Sequence, residues 1–63
     1  MKGKYEVNQV AEVAIGQASV KGRIDWVGWD GDKYHYLIEW VGRDGDVHSR
    51  WFDEGQLETV SPL

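Results

Sequence analysis

Two histidines, two acidic turns and a run of aromatic side chains are the residues of this chain best suited to chemistry. His35 and His48 fall on segments that read as neighbouring strands, and two imidazoles meeting across a sheet would offer two nitrogen ligands or an acid/base pair. Zinc sites take three or four protein ligands and the spacing supplies no third, so solvent-facing strand histidines are expected. Ser49 follows His48 directly, and adjacent strand residues point to opposite faces, so the two do not form a nucleophile-base pair. Asp30-Gly31-Asp32 and Asp44-Gly45-Asp46 carry the carboxylates that hard cations prefer. Successive turns of a meander lie at opposite ends of its sheet, however, and neither segment continues as a calcium loop, so ordinary turn chemistry is expected. The expectation is a chain with no catalytic residue, no bound metal and no cofactor.

The aromatic residues point elsewhere. All of them except Tyr5 fall between Trp26 and Phe52. Each buries about 150 to 250 Å² when enclosed, so a small core has no room for the whole set. Strand alternation assigns Trp26, Tyr36 and Ile38 to the core. Trp29 borders the first acidic turn and Trp40 ends its strand; Trp51 and Phe52 are consecutive, so one of them faces outward. Trp29, Trp40, Trp51 and Phe52 are therefore the candidate recognition residues, with Arg43 and Arg50 on the rim beside the acidic turns. Full burial of a large apolar side chain contributes roughly 1.5 to 3 kcal/mol, and a short chain that forgoes it repeatedly is expected to have a partner.

The elements that must position these residues are mostly strands. Val20 to Trp26 alternates, with Val20, Gly22, Ile24 and Trp26 on one side and Lys21, Arg23 and Asp25 on the other. Asp-Gly turns follow at 30–31 and 44–45, and between and after them Tyr34 to Trp40 and Val47 to Phe52 complete an antiparallel meander. Asp53 suits the cap of a single helical turn running to Leu57, and Thr59-Val60 suits a short closing strand before Pro62. Residues 7–15 carry two periods. Val7, Val10, Ala11, Ala14 and Ile15 fit a helical face, whereas Ala11, Val13 and Ile15 fit a strand that Asn8 would precede with a turn. The strand is preferred, because five short strands close into a small barrel that removes its own edges.

The chain has 63 residues, so it forms one domain at most, expected to span 1–63 with residues 1–4 as a flexible start. A chain this short buries only about 60% of its unfolded surface. With no cysteine available for disulfides, aromatic packing or homo-oligomerisation is expected to supply the missing stability. A net charge of -4 argues against a protein devoted to neutralising phosphates. Lys21, Arg23 and Arg50 with aromatic neighbours would still make a stacking platform for single-stranded nucleic acid. No apolar run approaches a membrane span and the first residues lack a signal-peptide pattern, so a cytoplasmic protein without membrane association is expected.

Tyr36-Leu37-Ile38-Glu39-Trp40-Val41-Gly42, then Arg50-Trp51-Phe52-Asp53-Glu54 and Leu57, resembles the chromo and Tudor-like small barrels. That resemblance implies an all-β, SH3-like barrel of about five antiparallel strands, with a short helical turn before the last and an aromatic groove between loops. In eukaryotic members an aromatic cage holds methylated lysine, and Trp40 matches one wall. Arg43 stands where another wall is often aromatic, and a cation there repels a quaternary ammonium. The resemblance thus implies an aromatic groove rather than a known ligand, and a protein or peptide partner is expected from the aromatic excess without catalytic geometry.

Gly22-Arg23-Ile24 and Leu57-Glu58 are also similar to the plasmid-borne type II dihydrofolate reductases, small barrels that assemble around a shared pore. That family's functional Gln-Ile-Tyr stretch falls on Arg50-Trp51-Phe52, and all three positions differ. This likeness implies an oligomeric habit, and an oligomeric reductase is kept as the enzyme alternative to a binding module. A barrel with its own Met1 points by analogy to a bacterial, phage or mobile-element source.

Overall fold

A computed structural model of the chain describes residues 4–62. Five strands follow one another in sequence: β1 (Val10–Ile15), β2 (Ala18–Trp29), β3 (Tyr34–Val41), β4 (Val47–Asp53) and β5 (Leu57–Val60), with one 3-10 turn, η1 (Glu54–Gln56), before the last. All pairings are antiparallel in a single sheet of order β4-β3-β2-β1-β5. The all-β class, the five strands and the helical turn before the last strand agree with the sequence reading. Residues 1–3 of the expected flexible start lie outside the described residues. Lys4 is tied in, its backbone N–H donating to Glu54 Oε1 at 2.9 Å.

Residues 10–15 resolve as the strand. Ala11 and Val13 are fully buried, whereas Val7 and Val10, which a helical face would have hidden, are exposed. Asn8 makes the turn before β1 with a φ of 79°, a left-handed conformation that Asn tolerates better than most residues.

The hairpins are built by their aspartates. Asp30 Oδ1 accepts the backbone N–H groups of Asp32 and Lys33, both at 2.9 Å. Asp44 Oδ1 accepts that of Asp46 at 2.9 Å. Gly31 and Gly45 follow these aspartates at φ 97° and 82°, where a Cβ would be strained.

One face of the sheet supplies the whole core. Ala11, Val13, Ile24, Tyr36, Ile38, Phe52 and Leu57 form a single buried cluster, so the sheet folds over on itself. Strand β2 is the axis of that fold: Ala18–Arg23 pairs with β1 and Arg23–Trp29 pairs with β3. At Gly22 β2 runs close against β3, and a Cβ would lie 2.6 Å from both the Glu39 carbonyl oxygen and Ile38 Cγ2.

Trp26 departs from the expected core. Ile24 pairs with Ile38 and Trp26 with Leu37, so Asp25 is an extra residue bulged out of the ladder. A bulge reverses the faces of all that follow, and Trp26 lies outside with 62% of its surface exposed. Val27 takes the inward position instead, opposite Tyr36 and packed against the core.

Tyr36 locks the chain ends to this core. Its hydroxyl donates to Glu54 Oε1 at 2.8 Å and accepts the Tyr5 N–H at 3.3 Å. Burial, then the hydrogen bond to Glu54, pushes its phenol up to about 12. Among the described residues no helix is long and apolar enough to cross a membrane.

Candidate functional site

The bulge at Asp25 composes the outer face of β2, β3 and β4. Beyond it Trp26 and Gly28 share this face with His35 and Leu37 of β3 and with Trp51 and Asp53 of β4, because these residues pair directly across the strands. The central row is Trp26, Leu37, Trp51. The next row toward the β2–β3 hairpin is Gly28, His35, Asp53. With no side chain at Gly28, the Trp51 indole leans over it, and the position of a Cβ there lies 3.4 Å from the ring. Gly28, Trp29, Asp30, His35 and Trp51 line an open cleft of about 330 Å³. Trp29 forms its hairpin end, tilted 50° against Tyr34 with ring centroids 4.6 Å apart.

His35 is held rather than presented. Its Nε2 lies 2.6 Å from Asp30 Oδ2 and its Nδ1 lies 2.9 Å from Asp53 Oδ1. Lys33 Nζ approaches the other oxygen of Asp53 at 3.3 Å. A neutral imidazole donates to one carboxylate only, and the doubly protonated ring donates to both. The Lys33 backbone N–H, the His35 ring and the Asp32 backbone N–H together hold the Asp30 carboxyl well below the usual carboxylate range. With both ring nitrogens engaged, the imidazole joins the β2–β3 turn to the end of β4 and presents no free base to the cleft.

A second cluster occupies the far end of β3. Trp40 stacks on His48, with ring centroids 5.7 Å apart and planes 25° apart, and tilts against Phe52 at 6.3 Å. Asp44 Oδ1 lies 3.3 Å from His48 Nε2. The Asp46 backbone N–H and then this histidine lower the Asp44 carboxyl below its ordinary value. The Arg50 guanidinium lies 6.0 Å from the Phe52 ring centroid, and Arg43 is exposed in the turn.

The recognition residues expected from sequence thus divide by place. Trp29 and Trp51 come together in one cleft. Trp40 lies toward the other end of β3, tilted against Phe52 on the inner face, and Arg43 lies in the turn beyond it. Phe52 fills the core at 2% exposure while its neighbour Trp51 faces out, and Arg50 lies on the edge strand. His35 and His48 do not meet, since they point to opposite faces from opposite ends of the hairpin. His48 is exposed to solvent as expected, with its ring stacked on the Trp40 indole, whereas His35 is half-buried and clamped between two carboxylates.

Three residues of the face were not among the expected recognition residues: Trp26, assigned to the core because the alternation does not show the bulge; Gly28; and His35, weighed only as a metal ligand or acid/base partner. Among the described residues no group of three or more His, Cys, Asp or Glu side chains is placed to hold a metal ion. Chemically, the arrangement is an aromatic cleft with an immobilised polar wall, suited to gripping an apolar or aromatic side chain. No family model, curated protein or solved structure matches the chain.

Proposed function

We propose that the protein is a non-enzymatic binding module of the SH3-like small-barrel type, which recognises a protein partner or a second copy of itself through an aromatic surface. The observation that carries this reading is the exposed aromatic surface: Trp26 and Trp51 on the outer face and Trp29 at the hairpin end of the cleft are each at least half exposed in a chain of 63 residues. Hot spots of protein interfaces are enriched in tryptophan, and a rigid three-stranded platform holds these rings at little conformational cost. The five antiparallel strands and the turn before β5 agree with what the resemblance to the chromo and Tudor-like barrels implies. In this reading the recognition surface lies at the β2–β3 hairpin end, around Trp29 and Trp51, with Trp26 extending it, rather than at Trp40 and Arg43.

Selection from a displayed peptide library on the immobilised protein tests the proposal. Selected peptides should share an apolar or aromatic anchor and lose at least about tenfold in affinity, equivalent to 1.4 kcal/mol, in Trp29→Ala and Trp51→Ala variants that keep their strand circular dichroism. Failure to enrich any peptide, or equal binding by both variants, would count against it.

A further inference from the structure

Among the described residues, strand β4 is an open edge of unusual regularity. It ends the sheet order, runs for seven residues and pairs with β3 from His35–Asp53 to Val41–Val47 without a bulge. It contains neither proline nor lysine, and Val47 through Trp51 are all exposed. Natural sheets blunt their edges by shortness, bulges, proline or charged side chains, lysine above all; between Val47 and Phe52, Arg50 is the one Lys, Arg, Asp or Glu side chain of β4. The other edge, β5, is blunted in this way: it has four residues and its pairing to β1 is irregular.

The hydrogen-bond phase of β4 shows which groups are available. In the turn before it, the Gly42 N–H donates to the Asp46 carbonyl at 2.9 Å. Hydrogen-bonded pairs in an antiparallel ladder recur at every second residue. His48, Arg50 and Phe52 therefore turn their backbone groups toward β3, while Val47, Ser49 and Trp51 turn theirs toward the open edge. The same three residues place their side chains on the outer face, in line with the aromatic row.

We infer that β4 pairs antiparallel with β4 of a second copy about a two-fold axis at Ser49, setting Val47 of each chain opposite Trp51 of the other. This deepens the binding reading, on which it rests, by naming the partner and the edge. An axis is the natural symmetry of a strand pairing with itself antiparallel. An axis at Arg50 would put two guanidinium groups directly opposite each other, which is unfavourable. The axis at Ser49 sets Arg50 opposite His48 instead, on the inner side. It also makes one apolar band: Trp26, Leu37 and Trp51 of one copy continue into Val47 and Val41 of the other. Trp26, Val41, Val47 and Trp51, each at least half exposed in the single chain, all lie along that band.

Sedimentation equilibrium across concentration tests the inference. The wild-type mass should rise from 7.2 kDa toward twice that value, whereas Ser49→Pro, which removes an outward N–H and no bond to β3, should stay monomeric with unchanged circular dichroism. A wild type that is monomeric at every concentration, or a folded Ser49→Pro variant that dimerises as well as wild type, overturns it. Should Ser49→Pro not fold, Ser49→Cys decides, since the chain has no other cysteine: rapid disulfide-linked dimer on oxidation supports the axis, and a thiol that stays unlinked overturns it. A monomeric wild type that still binds selected peptides through Trp51 overturns the edge pairing alone and leaves the binding reading standing.

Discussion

Trp26 and Trp51 stand on the same outer face of the sheet, on either side of Leu37, each paired to it across a neighbouring strand. Two indoles separated by one leucine form a flat apolar row across β2, β3 and β4. The relationship depends on the bulge at Asp25, without which Trp26 would point into the core.

The bulge makes a clear prediction about stability. Phe52→Ala, at a core position, should destabilise the fold by about 3 to 5 kcal/mol, whereas Trp26→Ala should change it by no more than about 0.5 kcal/mol, as for an ordinary surface site. Chemical denaturation of the two variants checks this. A large loss in Trp26→Ala would place that indole in the core after all.

The meander, its turns and the core phase of β3 were legible in the sequence, because Tyr34 to Trp40 alternates cleanly between Asp-Gly turns. Residues 24–29 were not. Ile24, Trp26, Val27 and Trp29 put large apolar side chains on both phases, so periodicity cannot choose between them, and the choice is made by β3, where Tyr36 and Ile38 demand partners on the inner face. Phe52 and Trp51 were ambiguous for the same reason. The His35 clamp was illegible because it joins Asp30, His35 and Asp53 from three different segments.

Gly22 should resist substitution. A Cβ would meet the Glu39 backbone as well as Ile38, and backbone at the fold axis cannot move aside cheaply. Gly22→Ala should cost about 1 to 3 kcal/mol, the usual penalty of overpacking, measurable as a lower denaturation midpoint.

Tyr36 links the amino-terminal segment and η1 to the core. Tyr36→Phe leaves the Glu54 carboxylate and the Tyr5 N–H without this partner and should destabilise by about 1 to 3 kcal/mol. Because the folded phenol is pushed up to about 12 from an unfolded value near 10, its protonated form favours folding. That contribution is fully present below about pH 10 and is lost as pH rises toward 12. An absorbance titration should show one tyrosine ionising last, and the step should vanish in Tyr36→Phe.

The acid side has the opposite sign. Asp30 and Asp44 are both lowered in the folded state, so their contributions are present above the ordinary carboxylate range. They begin to be lost as pH falls below about 4 and continue to fall through the lower folded values. Asp30→Asn should be less stable than wild type at neutral pH and show a shallower acid decline. An unchanged acid profile in that variant would contradict the clamp.

Recognition at the Trp29–Trp51 cleft is tested most directly by the indole N–H resonances of the four tryptophans, followed by nuclear magnetic resonance while a selected peptide is added. The resonances of Trp29 and Trp51 should move progressively to saturation while that of Trp40 stays in place. Saturating shifts at Trp40, with Trp29 and Trp51 unmoved, would contradict the account.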